Sequence, residues 1–249
     1  FLWTMLKKKT RLRGLLLMVI ARRALSLQSL NVEALRHLGA ALRKPSLLVP
    51  HVALNSVADL DCAALYAAGL RAVVFDKDNT LTPPYADEPS SEAAAAIADA
   101  VAVFGRENCV VLSNSVGAAD DFQCRGAERA EKALGLRVVR HARKKPDCLP
   151  DLRAALPHDL ADVAVVGDRL LTDVLFANRF GMFAVHLATP ITLRGDNPPA
   201  LVLRFLENSL FLPLFCRRGR VLLEPPPHPA AARYSSSSSL LPRSSSRRR

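Results

Sequence analysis

Two aspartates stand two residues apart in Asp76-Lys77-Asp78-Asn79-Thr80, directly after the apolar run Ala72-Val73-Val74-Phe75. Carboxylates at the end of a hydrophobic strand are costly to desolvate unless something neutralises them. A divalent cation does so, and Mg²⁺ takes hard oxygen ligands of this kind, usually beside a substrate phosphate. An aspartate can also be a nucleophile that forms an aspartyl-phosphate. A second carboxyl two residues on can then protonate the leaving oxygen and later activate water. Further along the chain comes Ser113-Asn114-Ser115-Val116-Gly117, a hydroxyl and a row of amides suited to an anion. Arg143-Lys144-Lys145-Pro146 offers a lysine able to neutralise a phosphoryl group as a point charge. Gly167-Asp168 is followed five residues later by Asp173. Taken singly, each is also what a capped or solvated turn looks like. Their order is what argues for chemistry: acid pair, hydroxyl, lysine, acid pair.

That order matters because of the elements that carry it. Short apolar runs at 71–76, 109–113, 136–140, 162–167 and 182–187 predict buried strands. Helical patterns at 92–104, 120–134, 147–156 and 171–180 fall between them, with Gly135 and Gly181 placed to stop two of the helices. Strands alternating with helices of about ten residues predict parallel βαβ units and an α/β, doubly wound sheet. Ligands of such sheets bind beyond the carboxyl ends of the strands. Each of the four polar groups lies at such an end. The segment 83–88 is short, so no large cap domain is expected over the mouth.

Half of the 249 residues are hydrophobic, enough to bury a core, and the formal charge is +11. The charge is unevenly placed. Seven Lys/Arg and no acid precede Glu33, and eight Arg and one acid follow Phe215, which leaves the stretch between them at −3. An acidic body argues against a nucleic-acid partner, which needs a basic groove. The longest clean apolar stretch, 15–21, is far short of the ~20 residues of a spanning helix. Residues 1–30 have the composition of a transit peptide or of a helix lying on an anionic membrane. The chain starts at Phe1 rather than Met, which points to a fragment or a misread start. Residues 201–215 are apolar and are expected to form a helix packed on the sheet, with an interfacial anchor as the alternative. Residues 216–249, with their Pro, Ser and Arg runs, are expected to be a disordered tail. Five cysteines without a CxxC pair make a disulfide framework or a zinc site a poor fit. The working domain is 31–215.

The four segments resemble the motifs of the haloacid dehalogenase superfamily of phosphotransferases. Val74 to Thr82, Leu112 to Gly117, His141 to Pro146 and Gly167 to Val174 with Ala177-Asn178 are similar to the mitochondrial and plastid phosphatidylglycerophosphate phosphatases. The stretch from Leu30 to His51 fits the same family, and the resemblance covers roughly residues 28–212. It implies a Rossmann-like core and a Mg²⁺-dependent phosphatase converting phosphatidylglycerophosphate to phosphatidylglycerol. The site it implies is Asp76 as nucleophile and Asp78 as acid and base. Ser113, Asn114 and Lys145 would bind phosphate. Asp76, the Asp78 carbonyl and Asp168 would hold the metal, and Asp173 would serve it through a bound water or else orient Lys145. Lys145 is preferred to Lys144 because it directly precedes the proline. It further implies an anionic phospholipid substrate, peripheral contact with a membrane surface, and the matrix side of the mitochondrial inner membrane or, alternatively, a plastid. A soluble phosphomonoester is the alternative substrate, since these motifs would serve it equally.

Overall fold

A computed structural model describes residues 43–192, 194, 207, 216–217, 220–221 and 223–235. The expectations for 1–30 and for the apolar helix at 201–215 therefore fall on residues outside it, save Glu207.

One six-stranded sheet forms the frame, with order β1-β6-β5-β2-β3-β4 and every pairing parallel. The strands are β1 (Val52–Leu54), β2 (Ala72–Phe75), β3 (Cys109–Val111), β4 (Arg137–Val138), β5 (Val163–Gly167) and β6 (Phe183–Leu187). β2, β3, β5 and β6 are buried along their whole length. That is why they read as apolar runs, broken only at His186, rather than as alternating patterns. Side-chain alternation still divides the core. Val73 and Phe75 join Ile97, Phe104 and Leu134 on one face, while Ala72 and Val74 join Leu152, Leu171 and Phe176 on the other.

The helices are α1 (Cys62–Ala67), α2 (Ser91–Phe104), α3 (Arg125–Leu134), α4 (Leu149–Ala155), α5 (Leu175–Arg179) and α6 (Ala231–Ser235). Their ends follow local chemistry. Ser90 Oγ accepts from the amide of Ala93 at 3.1 Å and opens α2. Gly135, at φ 65°, closes α3 in the left-handed conformation that costs glycine nothing. A π-helical turn, Leu170–Val174, leads into α5. The β2–α2 connection, 76–90, carries no inserted domain, in line with the short segment there.

Two of the differences from the expectations lie at the sheet edge and in the carboxyl-terminal region. β1 adds a sixth strand, pairing with β6 in the register Val52↔Val185. The described part of the supposed disordered tail is packed: Ala230 and Tyr234 are in the core and His228 is buried beside them. This segment is held through His51. The Ala184 amide donates to His51 Nδ1 at 2.9 Å, and Nε2 reaches Pro226 O at 3.0 Å. The ring stacks on Phe183 at 4.9 Å. Burial lowers its pKa to about 4; the Pro226 carbonyl opposes that shift and His228 adds to it. His51 is thus neutral, with the proton on Nε2. A proline-rich segment needs no ladder partners and can cross a core on a few anchoring side chains. Composition averaged over 216–249 conceals those anchors.

Candidate active site

The parallel arrangement brings β2, β3, β4 and β5 to one edge, and the singled-out residues leave from it. Asp76 follows β2, with its amide still in the ladder to Val166 O at 2.8 Å. Asp168 follows β5, and His186 Nε2 on β6 lies 3.2 Å from its carbonyl. Asp173 comes back to the same place on the π-helical turn, a device that recurs at functional sites. Its carboxylate accepts from the Arg169 amide at 3.2 Å and lies hard against Gly167. A Cβ on Gly167 would overlap the Asp173 carboxyl group, so the glycine is needed for close approach.

Asp76, Asp168 and Asp173 are all buried, and one ligand atom from each lies within 4.8 Å of the others. Lys145 Nζ donates to Asp76 Oδ1 at 2.7 Å and to Asp173 Oδ1 at 2.5 Å. Burial raises the Asp76 carboxyl to about 6. Asp173 and Asp78 push the same way, and Lys145 partly offsets them. For Lys145, burial opposes the charge, but Asp173 and Asp76 outweigh it and hold the ammonium above its ordinary range. One ammonium cannot neutralise three buried carboxylates. An all-oxygen cluster with that surplus negative charge fits a hard divalent cation such as Mg²⁺ and not a thiophilic one.

Asp78 lies outside that cluster. Its side chain is 24% exposed, and Oδ1 accepts from Lys77 Nζ at 3.0 Å and from the Tyr85 amide at 2.9 Å. With Oδ1 held, Oδ2 is the oxygen available for proton exchange. Lys77 is itself buried. Sequence reasoning assigned it no role, because a lysine between two aspartates reads as a solvated turn residue.

Ser113 is buried on the loop after β3. Its Oγ lies 3.0 Å from Ser115 Oγ and accepts from the Ser115 amide at 3.2 Å. Asn114 Oδ1 accepts from the Lys145 amide at 2.8 Å, so this side chain ties the serine loop to the lysine loop. Lys144 points elsewhere, pairing with Asp120 at 2.7 Å near the surface. Lys145 is therefore the lysine in the cluster.

Two supporting residues went unassigned in the sequence. The ring nitrogens of His141 lie 2.7 Å from Ser113 O and 2.7 Å from Arg143 O, joining the same two loops. Asp121 accepts from the amides of Gly117, Gly126 and Ala127 at 2.8–2.9 Å. Burial works against its charge, but the three amides hold its carboxyl below the usual range. No spacing rule marks either residue, because each acts through backbone groups brought together by folding.

Comparison with known proteins follows the same line. A family model described as "Mitochondrial PGP phosphatase" matches residues 32–192. The chain is 40% identical over 167 residues to "Phosphatidylglycerophosphate phosphatase 1, chloroplastic" of Chlamydomonas reinhardtii, covering 66% of this chain and 61% of that protein. It is 32% identical over 196 residues to "Phosphatidylglycerophosphate phosphatase 1, chloroplastic/mitochondrial" of Arabidopsis thaliana, covering 77% and 55%. With "Probable phosphatidylglycerophosphatase, mitochondrial" of Schizosaccharomyces pombe the identity is 28%, covering 64% and 82%. The chain thus spans little more than half the length of the algal and plant relatives.

Proposed function

The chain belongs to the mitochondrial PGP phosphatase family, and from that premise we propose that it hydrolyses the phosphomonoester of phosphatidylglycerophosphate to give phosphatidylglycerol. The observation that carries the chemistry is the buried cluster of Asp76, Asp168, Asp173 and Lys145. The names of the algal, plant and yeast relatives support the lipid substrate and an organelle, mitochondrion or plastid, as its setting.

In this mechanism an Asp76 carboxylate oxygen attacks phosphorus. The bond from phosphorus to the glycerol oxygen breaks, and Asp78 Oδ2 delivers a proton to that oxygen. Water then attacks the aspartyl-phosphate, Asp78 takes its proton, and inorganic phosphate leaves with Asp76 regenerated. Lys145 neutralises charge as it spreads over the phosphoryl oxygens. Ser113 Oγ and the neighbouring amides bind those oxygens. Asn114, whose Oδ1 is committed to Lys145, would contribute through its amide nitrogen. Asp76, Asp168 and Asp173, with the Asp78 carbonyl, would hold Mg²⁺, which when bound supplies further positive charge to the phosphoryl group. No helix among the described residues is long and apolar enough to cross a membrane, and peripheral contact is the proposed mode.

The test is phosphate release at neutral pH, with Mg²⁺ and with chelator. The substrates are phosphatidylglycerophosphate in mixed micelles and a panel of soluble phosphomonoesters. The expected result is Mg²⁺-dependent preference for the lipid, lost in Asp76→Asn. Activity confined to soluble esters would keep the chemistry and overturn the substrate. Undiminished turnover in Asp76→Asn would overturn the mechanism.

A further inference from the structure

Four large hydrophobic side chains are exposed among the described residues: Tyr66, Tyr85, Phe122 and Ile191. Three of them stand on loops leaving the catalytic edge of the sheet. Tyr85, 58% exposed, is on the loop after β2; Phe122, 71% exposed, on the loop after β3; Ile191, 39% exposed, follows β6. The loops are fastened to one another. Arg129 of α3 pairs with Asp87 at 2.9 Å, joining the Tyr85 loop to the helix that Phe122 precedes. The Thr192 amide donates to Asn79 Oδ1 at 3.0 Å, fixing the Ile191 loop beside the aspartate turn. The Tyr85 amide itself holds Asp78.

Cations accompany these side chains. The Arg125 guanidinium lies 5.7 Å from the centre of the Phe122 ring. Arg125, Arg143 and Arg194 are exposed and have no ion pair among the described residues. Of the acids on these loops, Asp78, Asp87, Asp120 and Asp147 are paired with Lys77, Arg129, Lys144 and Arg179, Asp121 accepts from three amides, and Glu88 is exposed. Single apolar side chains on separate loops of one sheet edge, accompanied by arginines without an ion pair among the described residues, are unlike the clustered centre of a protein interface. They match the headgroup region of a bilayer, which takes aromatic rings and binds cations through lipid phosphates.

We propose that this rim docks on an anionic phospholipid bilayer, with Phe122, Ile191 and Tyr85 entering the interface and Arg125, Arg143 and Arg194 meeting lipid phosphates. The inference rests on the phospholipid-substrate reading and names the surface that serves it. The mouth then faces the membrane, and a headgroup reaches Asp76 without its acyl chains leaving the bilayer.

The chain has a single tryptophan, Trp3. Phe122→Trp in a Trp3→Phe background therefore reports insertion of the rim alone, whatever the basic amino-terminal segment does. Vesicles of phosphatidylcholine with phosphatidylglycerol, one lipid carrying brominated chains, should blue-shift and quench the fluorescence. Tyr66→Trp in the same background should stay unquenched. A Phe122→Ser/Ile191→Ser double variant should lose roughly tenfold in hydrolysis of vesicle-borne lipid. Its activity on a soluble ester should hold within about twofold. An unquenched Phe122→Trp protein, or equal quenching of Tyr66→Trp, overturns the docking surface even if the lipid is hydrolysed. Quenching without lipid hydrolysis upholds the surface and overturns the substrate reading.

Discussion

Lys145 is the residue on which the site's electrostatics turn. It is buried and bonded to two carboxylates that lie close to a third. Removing one partner of such a group leaves uncompensated buried charge. Lys145→Met is expected to cost about 3–5 kcal/mol of stability. Turnover should fall by about 10²–10³-fold, as for loss of a transition-state charge stabiliser. Denaturant melts and single-turnover kinetics measure the two separately. Asp76 gives a second expectation. Its folded pKa, about 6, lies above the unfolded value, near 3.9. The native state therefore binds more protons between those values, and the stability Asp76 contributes falls as pH rises through about 6. A cation competes with that proton. Mg²⁺ should raise the melting temperature of chelator-treated protein more at pH 7 than at pH 5. An equal effect at both would contradict a carboxylate metal site.

At the level of elements, the π-helical turn and the glycine before it act together. Gly167→Ala forces Cβ against the Asp173 carboxyl group. Overpacking of that kind costs about 1–3 kcal/mol, and a displacement near 1 Å at a catalytic group costs about 10²-fold. A drop in kcat of that size with a modest fall in melting temperature is expected, and full activity in Gly167→Ala would show that Asp173 needs no such approach. The buried strands β2, β3 and β5 were legible because each is a clean apolar run ending in polar residues, and β6 because its run is broken only by His186. For the same reason the sequence placed Asp76, Asp168 and Lys145 at one edge. β1 was not legible: Pro50-His51 cuts the short run Val52-Ala53-Leu54 off from Leu47-Leu48-Val49, so no longer apolar run marks it. The helix expected from 120 begins at Arg125, because Asp121 spends its carboxylate on three amides and holds the preceding turn out of the helix.

Over the whole molecule, the described part of the carboxyl-terminal region belongs to the core. Tyr234 packs on Phe183 with ring centres 5.8 Å apart, and His51 spans from β6 to Pro226. Tyr234→Ala should cost about 3 kcal/mol, in the range of large aromatic truncations. Activity of the folded fraction should stay within about twofold, because the cluster lies away from the catalytic edge. Chemical denaturation monitored by circular dichroism measures the cost. Composition could not reveal this packing, because one tyrosine and one histidine anchor a segment dominated by proline and alanine.

The strand order has a consequence for the time course of assembly. β1 has β6 as its sheet neighbour, pairing Val52 with Val185. At about 5–20 residues per second, the ribosome needs on the order of ten seconds to make the intervening chain. During that interval β1 has no ladder to join, while β2 and β3 already have each other. The sheet must therefore grow outward from β2, with its first-made strand added last, and the amino-terminal portion stays unlocked until β6 has been synthesised. Non-local closure of this kind slows folding, and it leaves β1 unpaired until the last strand of its sheet has been made.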